Sequence, residues 1–104
     1  MMRLGLVITD ERYTNQVTDL AERALARGWE VRCFLTDTGV RALADERFSA
    51  LLATGGPKTA VCETSIERHG TGGPELEALE RMVIVGGQYQ NAELVRESDA
   101  VLAF

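Results

Sequence analysis

The chain has 104 residues and a formal net charge of −5, with two cysteines and one histidine. This length suits a single domain over residues 1–104. The acidic balance argues against direct nucleic-acid binding, which depends on basic surface, and against binding to an anionic membrane. No stretch has the length and apolarity of a membrane span, and the N-terminal apolar run is too short for a signal peptide. We therefore expect a cytoplasmic protein whose cysteines are free thiols.

Short apolar runs alternate with stretches of helical periodicity along the whole chain. Runs of apolar and β-branched residues predict strands, and apolar residues spaced by three and four predict helices, with glycine or proline near most ends. In chain order, the expected elements are a strand over 4–9, a helix over 17–25, a strand over 30–36, a broken helix over 40–53, a strand over 58–62, helices over 63–69 and 74–79, a strand over 82–85, a helix over 89–97 with Ala92, Leu94 and Val95 buried, and a strand over 99–104. Strands that alternate with helices pair in parallel through right-handed crossovers. The expected fold is therefore a three-layer α/β/α sandwich around a mainly parallel sheet of about five strands.

Cys62 is the strongest nucleophile at the expected carboxyl ends of the strands, where open parallel sheets place ligands and reactive groups. It ends the third strand and precedes a helix, whose free N–H groups and dipole stabilise an anion and lower the pKa of a thiol. Ser65 and His69 lie three and seven residues further on, so they share a helix face with Cys62. Spacing alone equally permits a small buried apolar residue, which is a common role for cysteine.

Cys33 and His69 have simpler interpretations. Cys33 lies in the middle of a strand and is expected to pack in the core, although it is the only internal partner that Cys62 could use in a two-thiol exchange. His69 is expected to interact with the last carbonyl groups of its helix, and the alternative is a cation near the thiol together with Arg68. Asp37, after the second strand, is expected to be a solvated loop residue.

Three glycine-rich turns are candidates for phosphate binding. The turn VGGQYQ at residues 85–90 has the best geometry, because it follows a strand and opens a helix. It lacks the three-glycine fingerprint of a dinucleotide-binding loop. Two cysteines and one histidine are too few for an ordinary zinc site, so neither a metal nor another cofactor is expected.

Three segments, taken in order, resemble the DsrE-like sulfur-relay family (DsrE, DsrF and TusD types). The opening MRLGLVIT, followed by a helix and a strand that leads into TDTGV, resembles the start of such proteins. The run KTAVCETSIERHG resembles the segment that carries the reactive cysteine of the family, and VIVGGQYQNAELVRESDAVLAF resembles the family's end. Two features differ: the region between the second and third strands is short, and the helix after Cys62 ends in Arg-His rather than two arginines.

The resemblance implies an oligomer of small α/β/α subunits that carries sulfur as a cysteine persulfide between donor and acceptor proteins, in tRNA thiolation or sulfur oxidation. Such oligomers are homo- or hetero-oligomeric dimers, trimers or hexamers. Carried over by position, Cys62 would hold the persulfide. Spacing along the following helix adds Ser65, Arg68 and His69 as possible helpers. The expectation is thus a sulfurtransferase-like persulfide carrier. The alternatives are a non-catalytic interaction subunit of such an oligomer and a small nucleotide- or flavin-binding module.

Overall fold

A parallel sheet of five strands forms the centre of the protein. The computed structural model describes residues 1–104, except for the side chain of Leu76. The strands are β1 (Arg3–Ile8), β2 (Glu30–Leu35), β3 (Pro57–Cys62), β4 (Ile84–Gly86) and β5 (Ala100–Ala103). Their order across the sheet is β4-β3-β2-β1-β5, and each neighbouring pair is parallel. The α/β fold class that the alternating pattern predicts is therefore confirmed.

The connecting helices are α1 (Thr14–Ala26), α2 (Glu46–Ala53), α3 (Glu63–His69), α4 (Leu76–Leu79) and α5 (Gln88–Glu97). A 3-10 segment over Asp37–Ala44 takes the place of the first part of the expected broken helix. The break lies at Asp45, whose backbone is extended and whose side chain accepts the N–H of Phe48 at 2.9 Å, so that it caps α2. None of the described helices is long and apolar enough to cross a membrane.

The fourth strand begins two residues later than the sequence predicts. The backbone N–H groups of Met82 and Val83 both donate to the carbonyl oxygen of Leu79, at 2.8 and 2.9 Å. These bonds continue the turn at the end of α4, so the extended backbone starts only at Ile84. The apolar run is therefore shared between a helix end and a strand.

The two faces of the sheet are covered unequally. Helices α1 and α2 and the 3-10 segment cover the first face, where the larger core cluster includes Leu6, Ile8, Val17, Ala21, Val31, Cys33, Leu35, Val40, Leu43, Phe48, Leu52 and Val61. The second face carries a smaller cluster made of Phe34, Ala60, Cys62 and Leu94, with Val7 packed against it. Because Leu94 comes from α5, this one helix closes the second face over the middle of the sheet.

Helix α5 buries one apolar side chain against the sheet. Leu94 is 3% exposed, and the helix lies so close to β1 that a Cβ on Gly5 would be 2.6 Å from Leu94 Cδ2. The prediction that Ala92 and Val95 are also buried is wrong, since both are exposed. The helix contacts the backbone of Gly5 through Leu94 and Ser98, so its exposed side chains face away from the sheet.

We predict that Leu94→Ala lowers the free energy of unfolding by about 2–4 kcal/mol, because it leaves a cavity in the small cluster that seats Cys62. Val95→Ala on the same helix is the matched control and should change stability by less than about 0.5 kcal/mol, since Val95 is 53% exposed. Urea unfolding of both variants measures the difference. Equal losses in the two variants would contradict this description of α5.

Candidate functional site

Cys62 lies where β3 ends and α3 begins. It is the last residue of the strand and the N-cap residue of the helix, with extended backbone angles of φ −78° and ψ 116°. In the sheet register, Cys62 pairs with Gly86 of β4, while Val61 pairs with Leu35 of β2. The carboxyl ends of three neighbouring strands therefore meet around the thiol, as expected for a site in an open parallel sheet.

The sulfur of Cys62 is nearly buried, with 7% of the residue exposed. That exposed part lines an open depression of about 340 Å³ at the carboxyl edge of the sheet. The residues that line the depression with Cys62 follow β2 and β4 or belong to α3 and the start of α5: Thr36, Asp37, Thr64, Ser65, Arg68, Gly87 and Gln88. The thiol is thus a packed side chain with one open side.

Two opposing effects act on the pKa of the Cys62 thiol. The larger single effect is burial, which raises the pKa by disfavouring the thiolate. Hydrogen-bond donors oppose it: the hydroxyl and backbone N–H of Ser65, the hydroxyl of Thr36 and the backbone N–H of Thr64. Together they outweigh burial and hold the pKa of Cys62 below its ordinary value. The sulfur makes no capping hydrogen bond at the start of α3, so these groups are available as donors to a thiolate.

The hydroxyl of Ser65 is aimed by its own hydrogen bonds. Its Oγ accepts the backbone N–H of Asp37 at 2.9 Å and lies 3.2 Å from Thr36 Oγ1. A serine oxygen can accept two hydrogen bonds and donate one. If Thr36 donates in this pair, both acceptor sites of Ser65 are filled and its own proton is left for the sulfur of Cys62. Ser65 is buried, which keeps water from competing for these bonds.

The structure brings together two of the three candidate helpers and separates the third. Ser65 and Arg68 line the depression with Cys62, and Arg68 is exposed. Within the part of the chain that the structure describes, its guanidinium makes no ion pair, so its charge faces the depression unneutralised. His69 does not line the depression, and its Nε2 lies 3.2 Å from Asp37 Oδ1 instead.

Asp37 is the residue of this site whose role the sequence does not reveal. It has a positive φ of 52°, which is uncommon for a residue other than glycine. Its carboxylate is 64% exposed, as expected for a loop residue, but its backbone N–H donates to Ser65 inside the site. The one available signal was the position of Asp37 directly after β2, at the same sheet edge as Cys62.

Cys33 cannot act as an internal resolving thiol for Cys62. It packs in the cluster on the first face of the sheet, whereas Cys62 packs in the cluster on the second. It is also paired with Thr59, three residues before Cys62, which places the two Cα atoms about 10 Å apart along the strand direction alone. A disulfide needs a Cα separation below about 7 Å. Burial raises the pKa of the Cys33 thiol to about 12, so this cysteine is core.

The glycine-rich turn VGGQYQ borders the same depression as the thiol. Gly87 is the N-cap residue of α5, and without a side chain it leaves the first N–H groups of that helix uncapped. Gly87 and Gln88 both line the depression. Among the described residues, no three His, Cys, Asp or Glu side chains are grouped so that they could hold a metal ion. Around the depression, the described residues therefore offer a thiol, hydroxyl groups, the Asp37 carboxylate, the Gln88 amide and the Arg68 guanidinium.

Comparison with known proteins adds no assignment to this geometry. The chain matches no model of a protein family, and no curated protein matches it.

We predict that Ser65→Ala raises the pH midpoint for alkylation of Cys62 by about half to one pH unit, because it removes one donor to the thiolate. At pH 7 the alkylation rate of Cys62 should fall by about 3–10-fold, which follows from that shift. Iodoacetamide alkylation over a pH series, read by peptide mass, measures both. Cys33 supplies the internal control and should stay unmodified until the protein is unfolded. A midpoint unchanged by Ser65→Ala would show that this hydroxyl does not act on the thiol.

Proposed function

We propose that this protein is a DsrE-like sulfur carrier that holds sulfur as a persulfide on Cys62 and passes it between a donor and an acceptor protein. The observation that carries the proposal is a thiol with a lowered pKa that opens on a depression lined by hydrogen-bond donors. The resemblance of KTAVCETSIERHG to the reactive segment of that family supports the same residue. Both cysteines are free, which suits a reducing compartment such as the cytoplasm.

The transfer takes two exchange steps at one sulfur. The Cys62 thiolate attacks the outer sulfur of the donor's cysteine persulfide; a new S–S bond forms at Cys62, the donor's S–S bond breaks, and the donor leaves as a thiolate. The acceptor's thiolate then attacks the outer sulfur now on Cys62, and Cys62 leaves as a thiolate. The sulfur keeps its oxidation state throughout, so no oxidant or reductant is needed. A lowered pKa helps both steps, since it supplies the attacking thiolate and makes Cys62 a good leaving group.

The depression supports the persulfide itself as well as the attack. The outer sulfur of a persulfide at Cys62 would extend from the exposed side of the thiol into the open space. There the Arg68 guanidinium and the hydroxyls of Thr36 and Ser65 offer a cation and donors to its negative charge. One carrier cysteine is sufficient, because sulfur enters and leaves at the same atom, and this agrees with the burial of Cys33.

Exposed apolar side chains on both edge strands support the proposal that this subunit works in a homo- or hetero-oligomer. Ile84 on β4 is 44% exposed, and Val101 and Leu102 on β5 are 38% and 45% exposed. Open edge strands with apolar side chains are surfaces that proteins commonly pair or cover. The proposed partners are therefore further subunits together with the donor and acceptor proteins.

A second candidate function is a non-catalytic interaction subunit of such an assembly. The small exposed fraction of Cys62 favours it, because a thiol that no partner reaches is core. In that case Cys62→Ser would leave assembly intact and no sulfur would be taken up. The nucleotide- or flavin-binding module remains the third alternative and would show itself as a rise in melting temperature with those ligands.

We predict that the reduced protein gains about 32 Da, the mass of one sulfur atom, when it is incubated with a cysteine persulfide donor. The gain should persist in Cys33→Ala, which removes the buried thiol, and should be lost in Cys62→Ser. Intact-mass spectrometry of all three proteins measures the adduct. A correctly folded wild-type protein that takes up no sulfur would favour the interaction subunit, and an adduct that survives Cys62→Ser would assign the chemistry elsewhere.

A further inference from the structure

Helix α3 is fastened to the 3-10 segment Asp37–Ala44 at both of its ends. Near its start, the oxygen of Ser65 accepts the backbone N–H of Asp37 at 2.9 Å. At its end, the carbonyl oxygen of His69 accepts two N–H groups of the Arg41 guanidinium, at 2.8 and 3.2 Å. The His69 side chain adds a third link, with its Nε2 at 3.2 Å from Asp37 Oδ1. Asp37 therefore contacts α3 twice, once through its backbone and once through its carboxylate.

The backbone conformation of Asp37 is strained and depends on contacts with neighbouring residues. Its φ of 52° places it in the left-handed region, which residues with a side chain occupy at a cost in energy. Such a conformation persists where neighbouring contacts determine it. The Ser65 oxygen holds the N–H of Asp37 and the His69 ring holds its carboxylate, so the strained residue is fixed on both sides.

This fixed N–H holds the Ser65 oxygen at the rim of the depression, beside Cys62. The hydroxyls of Ser65 and Thr36 lie 3.2 Å apart, and whichever of the two donates to the other, the pair keeps one proton for the sulfur. Without the Asp37 N–H, the Ser65 side chain would be free to turn away from the sulfur. The Cys62 thiolate would then lose a donor while it stayed equally buried.

We propose that His69 and Asp37 are positioning residues for Cys62: their contact holds the backbone N–H of Asp37 on the Ser65 oxygen and thereby keeps the Ser65 hydroxyl in place beside the sulfur. Neither side chain touches the reacting atoms. The use of this arrangement in sulfur transfer rests on the proposed function, whereas its effect on the thiol does not.

The test compares two substitutions of His69, one of which keeps a side-chain N–H donor and one of which removes it. His69→Ala removes the donor to Asp37, and His69→Gln keeps a side-chain N–H of similar reach but carries no charge. Glu67→Ala is the matched control, because Glu67 is an exposed residue of the same helix. The readout is the pH midpoint for alkylation of Cys62, with urea unfolding curves to confirm that each variant is folded.

We expect His69→Ala to raise the midpoint by about half a pH unit and to slow alkylation at pH 7 by about 2–4-fold, because one donor to the thiolate is lost. His69→Gln should restore the wild-type midpoint, and Glu67→Ala should leave it unchanged or lower it, since it removes a negative charge. A wild-type midpoint in His69→Ala would overturn the proposal. An equal rise in His69→Gln and His69→Ala would also overturn it, because a restored donor to Asp37 would then have no effect on the thiol.

Sulfur loading of the wild-type protein in parallel separates this inference from the proposed function. If no sulfur is loaded but His69→Ala shifts the alkylation midpoint, the carrier role fails and the positioning role stands. If sulfur is loaded but the midpoint does not move, the positioning role alone fails.

Discussion

Parallel pairing of β2, β3 and β4 is the constraint on which the thiol site depends. Leu35 pairs with Val61 and Cys62 pairs with Gly86, so that Thr36 leaves β2 at the same edge of the sheet. A shift of β3 by one residue would turn Cys62 to the first face of the sheet. It would also remove Thr36 from the sulfur, because side chains alternate between faces. The donors around the thiol are therefore placed by the register of the sheet as well as by the start of α3.

The two cysteines show that burial alone does not determine thiol chemistry in this protein. Both are nearly inaccessible, with 2% of Cys33 and 7% of Cys62 exposed. Burial raises the pKa of Cys33 to about 12, and the single hydroxyl of Thr59 opposes it. At Cys62, two hydroxyls and two backbone N–H groups oppose burial and reverse the direction of the pKa change. The difference follows from position, since a strand's middle has its N–H groups paired while a helix start has them free.

Sequence patterns predicted the parts of the structure that depend on local periodicity. The alternation of strands and helices was sufficient for the fold class and for the place of Cys62 at the end of β3. Two of the failures depend on contacts distant in sequence. The exposure of Val95 follows from how closely α5 approaches Gly5, ninety residues earlier. The contact between Asp37 and His69 joins residues 32 apart, and residue type signals the positive φ of Asp37 only weakly, because aspartate is enriched there without being typical.

Cys62 belongs both to the core and to the lining of the depression, and α5 contributes a residue to each. Through Leu94 this helix closes the cluster that holds the Cys62 side chain, and through Gln88 it forms one wall of the depression beside the sulfur. The exposure of the thiol is therefore determined by core packing and not by the conformation of a loop. The exposed part of the sulfur opens on the depression of about 340 Å³, so a group that reacts with Cys62 would approach it from that side. The same packing that limits the exposure of the thiol therefore fixes the direction of approach.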